Sequence, residues 1–188
     1  SSARSYDKSG IPYFNLHQDG WVVNDHRIGT LSIDSVYMDF YRVALDTATG
    51  RCFVGSWGEG LVELLNGEVL RTHTSQNSGL SYGQVGHMIA GLVFDETGNL
   101  GIAQGLNSTQ LNMLDPQGQW HAYVSPLPLY AFGITVDDLG NKWIINNGNG
   151  LVVFNDNYTP DNLSDDRWMA VTTAYGRGSL PNGTVNCV

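Results

Sequence analysis

Positive charge is scarce in this 188-residue sequence: 9 Lys plus Arg stand against 18 Asp plus Glu, a formal net charge of −9, and no basic run interrupts the excess. Neutralising phosphates needs clustered Lys and Arg, so no nucleic-acid partner is expected. Long apolar runs are missing too. The longest, from Met88 to Phe94, is far short of the roughly 20 residues that cross a bilayer as a helix, so no membrane-spanning segment is expected. Cysteine is nearly absent: Cys52 and Cys187 are too few for a disulfide scaffold and too far apart for a CxxC motif, and read as small apolar core residues. There is no initiating Met and no basic-then-apolar leader, as in a mature secreted form or a piece of something longer. Charged residues are 14% where about 25% is usual, while 23 glycines and a 41% hydrophobic fraction mark a folded, turn-rich, mostly β protein.

What is present is a repeat. Three segments align, opening at Val43, Gly91 and Gly133, and each reads apolar strand, Asp, turn ending in Gly, apolar strand, Gly-containing turn, apolar strand. The turn glycines Gly50, Gly98 and Gly140 lie 48 and 42 residues apart. A second marker is independent of the first: Trp21, Leu70, Trp120 and Trp168 follow at intervals of 49, 50 and 48, each within a further short strand. A period of about 40 to 50 residues with four short strands per unit is the signature of a β-propeller built from four-stranded antiparallel blades. Helical repeats are excluded because no 3.6-residue apolar periodicity is sustained.

The fold class is therefore all-β, with no helix longer than about two turns. Strand A is expected at Arg42–Leu45, Leu92–Phe94 and Ile134–Val136; strand B at Arg51–Gly55, Leu100–Ala103 and Lys142–Ile145; strand C at Gly60–Leu65, Leu111–Leu114 and Gly150–Phe154; strand D at each Trp or Leu marker. Residues 1–42 read as the end of one blade plus a connection, 43–89, 90–132 and 133–178 as three blades, and 179–188 as the first strand of the next. Propellers close with about 4 to 8 blades, so the chain reads as an arc of a larger propeller. Its terminal faces call for the remaining blades or another chain as partner.

The run SLPNGTVNCV, with the internal pattern V-x-D-x-x-GN-x-W-I ending in GL-x-x-F, resembles the two-component regulator propeller repeat of periplasmic sensor regions. The first unit, GRCFVGSWGEGLVELLNGEVL followed by NSGL, is more similar still to the propellers of PorZ-like proteins of type IX secretion in Bacteroidetes. The third unit fits best; in the second, Gly101 stands where Trp143 does and the LNSTQ turn is longer. The resemblance implies an extracytoplasmic, non-catalytic recognition propeller, periplasmic or at the cell surface, with no cofactor and no fixed catalytic residues.

Individual positions carry little catalytic chemistry. The Asp-plus-Gly turns lack the alternating oxygen ligands and twelfth-position Glu of a calcium loop and read as hairpin turns. The stretch from Asn155 to Asp166 gathers four aspartates and could curl round a calcium ion, or simply be a solvated loop. Sequons at Asn107, Asn157, Asn162 and Asn182 read as incidental to an Asn-rich composition. The five histidines show no H-x-H or HExxH spacing, and no Ser sits in a GxSxG elbow. The enzymatic alternative is a lactonase- or lyase-type propeller with a divalent metal at its channel.

Topology points instead to a face. In a propeller the D–A and B–C loops emerge together around the channel, which collects Ser56–Glu59, Gln104–Gln110 and Asn146–Asn149. Trp57, Glu59, Tyr82, Tyr130, Asn147 and Asn149 are the candidate ligand-binding residues, for a glycan or a protein partner. Trp57, read as exposed on a Gly-flanked turn, is the expected anchor, since aromatic rings stack on sugars or seat partners. The other reading of Trp57 is a wedge between blades. Trp120, Trp143 and Trp168 recur at strand positions and read as packing between blades.

Overall fold

Each turn glycine used to align the repeats closes a hairpin. In the computed structural model, which describes residues 40–84, 86–176 and 178–186 and the strand segments 15–17, 20–23 and 26–29, an aspartate opens every such turn. Backbone N–H groups donate to it: Ala48 to Asp46 at 2.9 Å, Thr97 to Asp95 at 3.0 Å, Leu139 to Asp137 at 3.0 Å. Gly50, Gly98 and Gly140 then take φ of 75°, 84° and 75°, the left-handed region that costs an L side chain about 1 kcal/mol or more. No calcium loop is formed there.

The strands that result build three blades. The first is β4 (Phe40–Leu45), β5 (Arg51–Gly58), β6 (Leu61–Leu65) and β7 (Glu68–His73). The second is β8 (His87–Phe94), β9 (Leu100–Gln104), β10 (Leu111–Leu114) and β11 (Trp120–Tyr123); the third is β12 (Ala131–Val136), β13 (Lys142–Asn146), β14 (Leu151–Asn155) and β15 (Arg167–Val171). Within each blade the pairing is antiparallel in sequence order. Upstream lies a small sheet of β1 (Asn15–His17), β2 (Gly20–Val23, holding Trp21) and β3 (His26–Gly29). The architecture is all-β, an arc of propeller blades, with no helix among the described residues. Residues 179–186, read from the sequence as the opening strand of a next blade, carry no strand here: they run as irregular chain with bends at 181–183, Leu180 N–H donating to Thr172 O at 2.9 Å and Gly150 N–H to Gly183 O at 2.8 Å. Cys187 lies outside the described residues.

Two features escaped the alternation pattern. Strands A begin earlier than expected, at Phe40, His87 and Ala131, because each carries a register shift near its start (Phe40/Arg42, Ile89/Gly91, Ala131/Gly133) that breaks the period of two. And β5 runs on to Gly58, where Trp57 and Gly58 pair with Met88 and His87, joining the first two blades into one eight-stranded sheet.

Blades pack face to face through apolar rows. Phe53, Leu61, Ile89, Leu100 and Ile102 fill the space between the first two, with Trp120 against them. Between the second and third, Met113, Tyr123, Ile134, Ile144 and Phe154 do so, and Trp168 stacks on Phe154 at 4.3 Å between ring centroids. Trp120 is an inter-blade residue, meeting His73 of the first blade at 5.3 Å between ring centroids, whereas the Trp168 ring lies on Phe154 of its own blade. Trp143 differs: its indole N–H donates to Asp137 Oδ2 at 2.8 Å, tying strand B to its own hairpin. Side-chain donation from Asn141, then from Trp143, lowers the Asp137 pKa to about 2. On the far face of the first blade Tyr41, Val43 and Leu45 are exposed, the side a further blade covers in a closed ring.

The inner strands show why the blades can approach so closely. Counting back four residues from the turn aspartate gives Arg42, Gly91 and Gly133. A Cβ on Gly91 would lie 2.8 Å from the backbone nitrogen of Ile134. Where the other two blades have glycine, the first has an arginine whose guanidinium donates to Ala90 O at 3.1 Å and Phe132 O at 3.3 Å. One side chain therefore laces the inner strands of all three blades.

The acidic stretch from Asn155 to Asp166 is not merely a solvated loop. Asp156 is 1% exposed, and its partner is the buried ammonium of Lys142 at 2.5 Å, with Asp95 3.7 Å away on the other side. The cation held between these carboxylates is the chain's own Lys142. Burial, then the neighbouring Asp156 and Asp165, raises the Asp166 pKa.

Candidate functional site

Strand B carries a buried polar residue at one register in each blade: Ser56 within β5, and Gln104 and Asn146 at the ends of β9 and β13. Ser56 Oγ accepts from Glu59 N–H at 3.1 Å, inside its own B–C turn. Gln104 reaches the preceding D–A loop, accepting from Ser81 N–H at 2.9 Å and donating to Ser81 O at 3.0 Å. Asn146 repeats this one blade on, accepting from Tyr130 N–H at 2.9 Å and donating to Pro128 O at 2.8 Å. A buried amide must find partners, and here the partners are loop backbone. The result is a face on which B–C and D–A loops are locked together.

Between those loops lies a pocket of about 500 Å³, lined on one side by Leu106, Asn107 and Gln110 and on the other by Pro128, Leu129 and Tyr130. Asn107 is 6% exposed; its Nδ2 donates to Ser81 O at 2.7 Å, which fixes the amide orientation, and its Oδ1 has no partner. Gln110 Oε1 is likewise buried without one. Leu106 stands at φ 56°, a conformation rare for a bulky side chain and characteristic of strained functional loops. No ionisable acid or base lines this pocket apart from the Tyr130 phenol.

The residues singled out from the sequence fall into three groups. Tyr130, half exposed, lies on the pocket, and its carbonyl accepts from Asn147 N–H at 3.0 Å, while Asn149 Nδ2 donates to Asn147 O at 3.1 Å; both asparagines are exposed. Tyr82 is exposed and meets His87 edge-on at 5.0 Å, and Glu59 bridges to His87 through the backbone. Trp57 stands apart from both. It lies within β5 and not on a free turn, because β5 continues to Gly58. Its ring is half-buried against Tyr41 at 5.1 Å and Phe132 at 5.8 Å, and its indole N–H is buried without a partner. We expect Trp57→Ala to lower stability by about 2 kcal/mol, part of the cost of truncating a fully buried aromatic, as read by denaturant midpoint. An unchanged midpoint would show that the ring contributes no packing. Asn107 and Gln110 lie in the Gln104–Gln110 loop that the sequence placed on this face, but they were not among the candidate ligand-binding residues because nothing local distinguishes them from their neighbours.

No family model and no curated protein matches the chain. Among solved structures, PorZ of Porphyromonas gingivalis, described as an essential surface component of the type-IX secretion system, superposes with a TM-score of 0.64 and 27% identity over 71% of the chain. In fold the chain is PorZ-like. The extracellular domain of a hybrid two-component system from B. thetaiotaomicron aligns over 70% of the chain with a TM-score of 0.52 and 18% identity. Virginiamycin B lyase from Staphylococcus aureus aligns over 81% with a TM-score of 0.56 and 16% identity. The resemblance expected from the repeats is thus met by PorZ and a sensor domain, and the last two likenesses show the propeller fold alone. The chain spans about a fifth of the length of PorZ, 17% of the sensor domain and 45% of the lyase. Among the described residues of the PorZ-like arc no helix is long and apolar enough to cross a membrane, and no group of three or more His, Cys, Asp or Glu is arranged to hold a metal.

Proposed function

We propose that this PorZ-like arc is a non-enzymatic, extracytoplasmic recognition segment that binds a neutral, donor-rich partner, a glycan first, at the face shared by the B–C and D–A loops. The observation that carries it is the pair of buried, unpartnered amide oxygens of Asn107 and Gln110 beside the exposed Tyr130 ring. Buried polar atoms normally have partners, and sugar hydroxyls would supply them while the aromatic ring takes a C–H face. Glu59, Tyr82, Asn147 and Asn149 extend the same face, and Trp57 backs it from the inner strands. The PorZ likeness supports a surface location and leaves a protein partner as the second occupant of this face.

A glycan array probed with the purified chain tests this. Tyr130→Ala should weaken the strongest glycan by about 2 kcal/mol, roughly thirtyfold, with an unchanged unfolding midpoint. Equal binding by the variant, or no glycan retained at all, would remove the glycan from this pocket.

A further inference from the structure

A second cleft, of about 750 Å³, opens between the first and second blades on the opposite face, among the A–B and C–D turns. Its two walls differ in kind. The wall from the second blade is mainly apolar, formed by Phe94, Leu100 and Leu114 and edged by Pro116, with Asp115 also lining it. The wall from the first blade is charged: Arg51, Glu63, Arg71 and His73 stand there beside Phe53.

The charged wall departs from the repeat. Glu63 occupies the strand C position that is Met113 in the next blade, and both are buried, at 6% and 1% exposure. In the second blade that position packs against the third. A bulge at Leu70 puts Arg71, not Leu70, opposite Glu63, and His73 follows on the same side. Glu63 takes Arg51 at 3.0 Å on one oxygen and His73 Nε2 at 3.0 Å on the other, so its carboxylate is satisfied. Asp46 and Asp115, the other carboxylates lining the cleft, are also satisfied, by the Thr49 hydroxyl and turn N–H groups and by Gln119 N–H and His121.

What is left over is a donor and an acceptor. Arg71 is exposed and has no hydrogen-bond or ion-pair partner among the described residues, in a chain where cations are outnumbered two to one. His73 is 2% exposed, and its Nδ1 has no partner while Nε2 is held by Glu63. With Nε2–H donating to the carboxylate, Nδ1 presents a lone pair. Burial lowers the His73 pKa, against the opposing pull of Glu63, so the imidazole stays neutral near pH 7.

We propose that this cleft binds a small organic anion: one carboxylate on a compact ring-shaped or apolar body. Arg71, aided by the outer edge of Arg51, takes the carboxylate; a hydroxyl or N–H of the ligand donates to His73 Nδ1; the body lies on Phe94 and Leu114. Guanidinium groups match carboxylates in a two-pronged, charge-assisted geometry that a neutral ligand forfeits. A sugar acid and an aromatic acid share this chemistry.

The test uses the whole chain and four probes, galacturonate and 4-hydroxyphenylacetate, each with its methyl ester, titrated while the histidine ring resonances are followed. At least one acid should bind about tenfold more tightly than its neutral counterpart and move the His73 resonances, and which acid does so separates the two sources. Arg71→Gln, at an exposed position, should abolish that preference with the unfolding midpoint unchanged. Neutral and acid forms binding alike, neither acid binding, or an unchanged preference in Arg71→Gln would each overturn the proposal. Tyr130→Ala should leave it untouched, which separates its failure from that of the glycan face.

Discussion

Lys142→Ala is expected to destabilise the protein by about 3–5 kcal/mol, the cost of leaving buried carboxylates without their cation. Lys142 is 3% exposed, and its ammonium is the partner of Asp156 Oδ1 at 2.5 Å; the second oxygen of Asp156 is already unpartnered. Removing the ammonium strands Asp156 and leaves Asp95 held only by its own turn, through Thr97 and Asn99. A double variant, Lys142→Met with Asp156→Leu, should recover most of the loss, because an apolar pair of similar volume removes both desolvation penalties. Denaturant midpoints of the two variants decide it. A double variant as unstable as Lys142→Ala would mean that the ion pair is not the reason for the cost.

The second large effect is expected from one methyl group. Gly91→Ala should cost about 3 kcal/mol, at the upper end of overpacking, because the new Cβ meets backbone, Ile134 N at 2.8 Å and Gly133 C at 3.0 Å. Backbone cannot rotate away. The third blade must then shift as a body, and with it Phe132 O, the acceptor of the Arg42 guanidinium. Gly133→Ala is the control: its Cβ would meet the tip of the Ile145 side chain at 3.1 Å, a flexible group, so about 1 kcal/mol or less is expected. Equal midpoints for the two variants would show that the inner strands do not limit blade approach.

How far the sequence reached can be judged strand by strand. Strand C of the second blade, Leu111–Leu114, matches its expectation residue for residue, and the other B and C strands start or end within a few residues of theirs. Turn chemistry and a period of about 42 to 50 residues are local signals, and each blade repeats them, so errors average out. The starts of strands A were missed, since a bulge inserts one residue and shifts the alternation on which the reading rests. The candidate face was legible as a set of loops because propeller topology alone places B–C with D–A. Which atoms on it lack partners was not, as Asn107 Oδ1 is defined by Ser81, 26 residues away.

The sequence by itself determined the all-β, propeller-like class, the Asp–Gly hairpins, the acidic, cysteine-poor composition and the PorZ-like resemblance. These follow from residue type, from local turn chemistry and from a repeat period legible along the chain. Only the tertiary structure decided what the exceptions to the repeat are for. Glu63 in place of an apolar residue, Arg42 in place of glycine and Lys142 at the base of strand B look like noise in an alignment. Their meaning lies in partners on neighbouring strands or blades: His73 and Arg51 for Glu63, Ala90 and Phe132 for Arg42, Asp95 and Asp156 for Lys142. A charge is tolerated in a blade interior only where another strand or blade satisfies it, and that is fixed by packing, not by the residue itself.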